Sequence, residues 1–200
     1  MNSIWTENAN LVQFESLRGD RKTEVLIIGG GITGILCAYF LQEQGVDYIL
    51  VERERLCSQI TKNTTAKITA QHGLIYHKIL KSMGTERARM YLDANQKAME
   101  KYVELVQGID CDFERKNSYV YSMDNPQKLE REAEALERIG YHPIWGKTDE
   151  LPFSIAGMIG FENQAQFHPL KFLAQIVREL NIYEPVSYTH LRAHETRGNL

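Results

Sequence analysis

Six residues, Gly29-Gly30-Gly31-Ile32-Thr33-Gly34, constrain this chain more than any other feature, because they separate an apolar run from an apolar stripe of helical period. The run from Glu24 to Ile28 is apolar and β-branched, which predicts a parallel strand buried on both faces. Ile32 to Gln44 carries Ile32, Ile35, Leu36, Tyr39 and Phe40 at helical spacing and closes at Gly45, a residue suited to the position after a helix end. Asp47 to Val51 predicts a second strand. Strand, glycine turn, helix and strand within about thirty residues make a βαβ unit with a right-handed crossover.

The same stretch imitates a membrane span, since Val25 to Gln42 is eighteen consecutive uncharged residues. Three adjacent glycines argue against one, because each weakens a helix, whereas a strand, turn and helix account for all three.

Gly29, Gly31 and Gly34 fill the pattern GxGxxG. Between a predicted strand and a predicted helix, with Glu52 eighteen residues after Gly34 at the end of the second strand, the pattern has a physical reading. Gly29 permits the tight turn, Gly31 lets the backbone amides of Ile32 and Thr33 approach a diphosphate, and Gly34 lets the helix pack close to the strand. The helix N-terminus holds the diphosphate, and Glu52 accepts the ribose hydroxyls while repelling a 2′-phosphate. This favours FAD or NAD over NADP; the bland alternative is a glycine-rich turn without a ligand.

The segment after the second strand separates the two dinucleotides. A classical dehydrogenase continues with another compact helix and strand, but here a polar loop runs from Ser58 to Gly73 and contains Thr61, Lys62, Asn63, Thr64, Thr65, Ala66 and Lys67. Hydroxyls and backbone N–H groups suit a diphosphate and the electron-rich edge of a flavin. A Thr-rich helix start is the competing reading. His72, beside this loop, invites a role in proton transfer, against which stands a structural hydrogen bond.

The remaining pattern is α+β. Two helical segments follow the polar loop, and the longer, Thr85 to Val106, places Ala88, Tyr91, Leu92, Ala98, Met99, Tyr102, Val103 and Val106 on one helical face, with Asn95 on that face as a paired core amide or a ligand contact. CDFERKNSYVYSM, from Cys111, predicts an antiparallel hairpin turning at Lys116 to Ser118. Asn125 before Pro126 caps a further helix that ends at Gly140. A strand over Gly157 to Phe161 leads to a helix opened by His168 and Pro169, with Leu170, Leu173, Ile176, Val177 and Leu180 on one stripe.

Composition removes several classes of function. With 23 Lys plus Arg against 26 Asp plus Glu, the 200-residue chain has a net charge of −3 and no basic excess for nucleic acid or an anionic membrane. Cys37, Cys57 and Cys111 form no CxxC pair or zinc spacing, so they are expected reduced, in the cytoplasm, with no metal site. Residues 1–22 have no apolar core of a signal peptide and are expected to be an N-terminal extension. Pro185 to Leu200 has no apolar period and resembles an adaptor-like translated tail; it is set apart as non-native, and its His190 and His194 are discounted as metal ligands.

The run EVLIIGGGITGILCAYFLQEQGVDYILVERER, the following TKNTTAKITAQHGLIY, and the later FHPLKFLAQIVREL resemble the N-terminal half of FAD-dependent oxidoreductases of the D-amino-acid oxidase and glycine oxidase type. The nearest likeness is a bacterial branch, some of whose longer members end in a Rieske iron-sulfur domain. The resemblance runs from about Ser3 to Glu184. It implies an incomplete α/β chain: a Rossmann-like FAD-binding βαβ unit of glutathione-reductase type joined to part of an α+β substrate domain. The expected divisions are 23–110 for the FAD-binding part, 111–167 for the partial substrate domain and 168–184 for the helix and strand returning to the first, before the tail at 185–200. It further implies that Gly29, Gly31 and Gly34 hold the FAD diphosphate, Glu52 the ribose, Arg53 the adenine edge, and that Thr61, Thr64, Thr65 and Ala66 line the flavin side. The implied activity is oxidation of a small-molecule amine or amino acid by hydride transfer to the flavin, with an unassigned electron acceptor. Its catalytic residues are expected in the later half of the family's fold, so none is named here. Two alternatives stand beside this: a non-catalytic dinucleotide-binding module, and a non-functional truncated product.

Overall fold

The computed structural model of the chain describes residues 3–148 and 151–187. Among the described residues seven strands occur, in the order β1 (Val25–Ile28), β2 (Tyr48–Val51), β3 (Lys67–Ile68), β4 (Glu114–Ser122), β5 (Ile144–Gly146), β6 (Gly157–Gln166) and β7 (Ile182–Tyr183). Four α-helices intervene: α1 (Ile32–Glu43), α2 (Tyr76–Leu105), α3 (Pro126–Arg138) and α4 (Pro169–Ile176). The chain divides into two compact units; the described residues of the first are 3–65, 109–111 and 168–187, and those of the second are 66–108 and 112–167.

The first unit is built on a parallel sheet in the order β1-β2-β7. β2 lies in the middle and every residue of it is buried, Leu50 completely. Val25 to Ile28 pair in register with Tyr48 to Val51, and Leu50 and Val51 pair with Ile182 and Tyr183. β1 departs from the expectation of burial on both faces: Leu26 is 40% and Ile28 54% exposed. As an edge strand it is covered on one side only among the described residues. α1 likewise buries Ile35 and Ala38 alone, while Phe40, expected on its inner stripe, is exposed. α4 follows its predicted stripe, with Leu170, Leu173, Ile176, Val177 and Leu180 all buried together with Phe172. His168 caps it, its Nδ1 accepting from the Lys171 N–H at 3.2 Å. The glycines break the eighteen-residue uncharged stretch into β1 and α1, and no described helix is long and apolar enough to cross a membrane.

The second unit is an antiparallel sheet in which β6 pairs with β3, β4 and β5. The hairpin expected at Lys116 to Ser118 is absent. These residues lie inside the single strand β4, where the register against β6 shifts between Lys116 and Ser118. The polar residues that suggested a turn form a bulge: Asn163 takes a positive φ of 56° and donates its N–H to the Asn117 Oδ1 at 3.2 Å. Asn125 precedes α3 but makes no side-chain cap, and its Oδ1 is buried without a partner; the Ser122 hydroxyl accepts the Asn125 N–H instead, at 3.0 Å.

α2 contains a break at Gly84 (φ 84°), so it comprises two helical segments, as the pattern suggested. It packs on α3, within the second unit. Ala88, Leu92, Met99 and Val106 are buried as expected, but Ala98 is exposed. Asn95 donates to the Tyr91 carbonyl four residues earlier at 2.8 Å, the bland reading of that amide. The inner face of β6 supplies Ile159 and Phe161, and Phe161 stacks between Tyr76 and Tyr141 with centroids 5.9 and 4.4 Å away.

One carboxylate organises this unit. Glu132, on α3 and 2% exposed, accepts the N–H groups of Tyr76 and His77 at 2.7 and 2.8 Å, and so caps α2 from outside its own sequence. Desolvation raises its pKa above 4.5 even though those N–H bonds pull the other way. The folded state therefore holds this proton more tightly than the unfolded chain, and the stability contributed falls as pH rises from about 4.5 through the raised value. Glu132→Ala is expected to cost about 2–4 kcal/mol by leaving the helix end unsatisfied. Urea unfolding across pH should show wild type losing stability relative to Glu132→Gln as pH rises through that window.

Candidate functional site

The glycine loop closes the first unit at the C-terminal end of β1. Gly29 takes a φ of 112°, open to glycine but strained for other residues, and donates its N–H to the Val51 carbonyl at 2.9 Å. Gly31 is the N-cap of α1 and offers no side-chain cap, so the first-turn amides face outward ahead of the first helical bond, from Ile35 N–H to Gly31 carbonyl at 3.0 Å. A Cβ at Gly34 would overlap the Gly29 carbonyl oxygen, the close helix–strand approach expected of this position. Gly30, a free position in the sequence pattern, is restricted as well. A Cβ there would overlap the Leu56 side chain and lie 3.0 Å from the Glu52 Cβ.

Glu52 stands where the spacing put it, at the end of β2. Its Oε2 accepts the Gly30 N–H at 2.7 Å and its Oε1 accepts the Glu54 N–H at 2.8 Å, which turns the carboxylate into the glycine loop. Its backbone is held from both sides, N–H to the Tyr183 carbonyl at 3.0 Å and carbonyl to the Val186 N–H at 2.8 Å. That second bond carries the pairing into Pro185–Ser187, the described part of the segment set apart as a tail; residues 188–200, with His190 and His194, lie outside the described residues.

The polar loop returns to the same place. Cys57 donates its N–H to the Gly30 carbonyl at 2.9 Å, and a 3₁₀ turn over Thr61–Asn63 sets the Thr61 hydroxyl, buried, against the N-terminus of α1. Thr61 Oγ1 accepts the Ile32 N–H at 3.1 Å. Gly29, Gly31, Ile32, Gly34, Glu52 and Thr61 are thus gathered at one helix end, with Thr33 exposed on its first turn. Arg53 is not gathered with them; it is exposed and pairs with Glu54 at 3.2 Å. Thr64 presents its carbonyl to the Trp5 indole N–H at 2.8 Å, Thr65 is exposed, and Ala66, buried at a φ of 56°, belongs to the second unit.

The chemistry of the gathered groups suits a diphosphate and a ribose: backbone amides at a helix start preceded by three glycines, with the Thr61 hydroxyl and an acid beside them. Redox chemistry by the chain's own thiols is disfavoured at Cys57, where burial, then the charges of Glu184 and Glu52, push the pKa up to about 12 and keep the thiol neutral. No group of three or more metal-ligating side chains occurs among the described residues. His72 is exposed, and its Nδ1 lies 2.9 Å from the Tyr91 hydroxyl, the structural bond weighed against a chemical role. Sequence reasoning passed over Gly30 and Glu184. Glu184, 1% exposed, accepts the Leu56 N–H at 2.6 Å and pairs with Arg55 at 3.2 Å. The run of three glycines was a visible signal for the first; a lone glutamate after a short strand gave none for the second.

Comparison with known proteins adds the following. The family described as FAD dependent oxidoreductase (DAO) matches residues 24–195. A Bacillus subtilis (strain 168) protein named as a Rieske 2Fe-2S iron-sulfur protein, YhfW, is 35% identical over 182 residues, covering 89% of this chain and 36% of its own length. Gamma-glutamylputrescine oxidoreductase of Escherichia coli (strain K12) is 28% identical over 143 residues, 69% of this chain and 33% of its own. Among solved structures, L-proline dehydrogenase from P. horikoshii superposes with a TM-score of 0.64 at 15% identity, over 82% of this chain and 44% of that one. Glycine oxidase from Bacillus cereus ATCC 14579 gives 0.56 at 20% identity, over 82% and 46%. The chain spans about a third of the length of these curated relatives and under half of these structures.

Because the Gly34 Cα faces backbone and not a movable side chain, Gly34→Ala must separate α1 from β1. A loss of about 3 kcal/mol is expected, at the upper end for overpacking, and urea unfolding measures it.

Proposed function

The chain belongs to the FAD dependent oxidoreductase (DAO) family, and on that premise we propose that its first unit binds the ADP half of FAD, as part of an enzyme that oxidises an amine or amino acid. The observation that carries the reading is the glycine-only helix start with the Glu52 carboxylate turned into it. Solved relatives of like fold are a glycine oxidase and an L-proline dehydrogenase, and a curated relative is an oxidoreductase of gamma-glutamylputrescine. Their substrates support the amine and amino-acid class.

Each residue has a task. Ile32, Thr33 and Gly34 present backbone amides to the diphosphate, with the partial positive charge of α1 behind them. Thr61 supplies a hydroxyl at the same place: it holds the Ile32 N–H in the present geometry and can turn to donate to a phosphate oxygen. Glu52 accepts from the ribose hydroxyls on release from the Gly30 amide. Arg53 covers the adenine edge once freed from Glu54, and Thr64, Thr65 and Ala66 border the flavin. Bound flavin supplies the two-electron acceptor for a substrate C–N bond. The chain's own residues orient that group.

Titration of the apoprotein with FAD, followed by flavin fluorescence, tests the reading. Saturable binding of FAD in preference to NAD is expected, with Glu52→Ala weaker by about tenfold or more, the loss of two charge-assisted bonds, and Thr61→Val weaker by a smaller factor. Equal affinity of wild type and Glu52→Ala, or preference for NAD, would overturn it. Bleaching of the flavin colour by an amine substrate distinguishes an enzyme from a module that only binds.

A further inference from the structure

Residues 3–15 are not a loose extension. The chain opens with a 3₁₀ turn over Ile4–Thr6, closed by the Thr6 N–H donating to the Ser3 carbonyl at 3.0 Å and capped by the Ser3 hydroxyl accepting the Trp5 N–H at 3.3 Å. The turn fixes the Trp5 side chain. Its indole N–H donates to the Thr64 carbonyl at 2.8 Å, and its ring stands edge-on to His168 at 5.1 Å between centroids. Further on, Phe14 donates its N–H to the Glu184 Oε1 at 3.2 Å, and Glu184 donates its own N–H to the Glu15 carbonyl at 3.2 Å. The other oxygen of the same buried carboxylate accepts the Leu56 N–H at 2.6 Å.

The N-terminal segment is therefore tied to both ends of residues 56–64: to Leu56 through Glu184, and to Thr64 through Trp5. Between the ties lies a partly open cavity of about 260 Å³, lined by Ala9, Leu11 and Val12 on one side and Ser58 and Lys62 on the other. The turns at Ile4–Thr6 and Thr61–Asn63 touch, Arg55 donates to the Gln13 Oε1 at 3.2 Å, and the residue these ties bracket is Thr61, whose hydroxyl sits on the Ile32 amide.

We infer that residues 3–15 are a brace that sets the position of the loop 56–64 against the N-terminus of α1, and that Trp5 is its positioning residue. This rests on the proposed function, which makes that loop a border of the FAD site. Trp5 acts through the Thr64 carbonyl. Without its N–H, the loop end loses one of its bonds, and Thr61 is held less firmly against the Ile32 amide.

Trp5→Phe keeps a six-membered ring against His168 and removes the donor with the five-membered half of the indole. Expected are a melting temperature lower by only about 2–4 °C, faster amide hydrogen exchange in residues 61–66 of the apoprotein, and FAD affinity lower by about three- to tenfold, the worth of one lost hydrogen bond. Unchanged exchange and unchanged affinity would overturn the inference while leaving wild-type FAD binding, and the functional reading, intact. A wild type that binds no FAD overturns both. Should Trp5→Phe fail to fold, hydrogen exchange on the wild type decides: a brace requires residues 3–15 and 56–64 to gain protection together on adding FAD, and protection of the loop alone refutes it.

Discussion

The contact between Gly34 and the Gly29 carbonyl oxygen is the constraint on which the first unit depends. It is a backbone-to-backbone approach that no side chain could share, and it sets how near α1 lies to β1. Distance along the helix then determines the rest. With α1 so close, the carbonyl of Gly30 reaches the Cys57 amide, the amide of Gly30 reaches the Glu52 carboxylate, and the amide of Ile32 reaches the Thr61 hydroxyl. Three bonds, one to Glu52 and two to the loop after it, converge on Gly30 and Ile32.

Two buried glutamates do related work in separate units. Glu132 collects backbone amides at the start of α2, and Glu184 collects those of Phe14 and Leu56. Each joins segments far apart in sequence, and each meets mostly peptide dipoles. Among the described residues, Arg55 is the sole cation donating to Glu184, and it is half exposed. Backbone amides satisfy a carboxylate without adding a second buried charge, which spares the desolvation of a cation.

What the sequence makes legible is what depends on short-range spacing. The glycine fingerprint, the acid eighteen residues on, the helix after His168-Pro169 and the break between two helical segments near Gly84 all follow from local rules, and the structure has them. Failures arise where a local signal has two solutions. Lys116 to Ser118 reads as a turn, but polar residues with Asn117 serve a bulge equally well once β6 is there to pair with. Asn125 has the composition of a cap, yet its side chain is turned inward and Ser122 accepts its amide. Leu26 and Ile28 look like core by composition, whereas burial depends on what lies over a strand, which its own residues do not encode. Of the candidate site, the glycines, Glu52 and Thr61 were readable. The ties of the N-terminal segment were not, because they join residues far apart in the chain, and Gly30, restricted by Glu52 and Leu56, was signalled only by the run of three glycines.

The antiparallel sheet has one more consequence, which concerns synthesis. β3, β4 and β5 all pair with β6, and β3 is separated from it by 88 residues of chain. A ribosome delivers the three outer strands first and the strand that joins them last. Until Gly157 to Gln166 emerges, the aromatic β4 and Trp145 wait with unsatisfied edges, exposed to wrong partners. For this half of the molecule, the interval between translating Ile68 and translating Gln166 is the period of greatest risk, and its length is set by topology and not by stability.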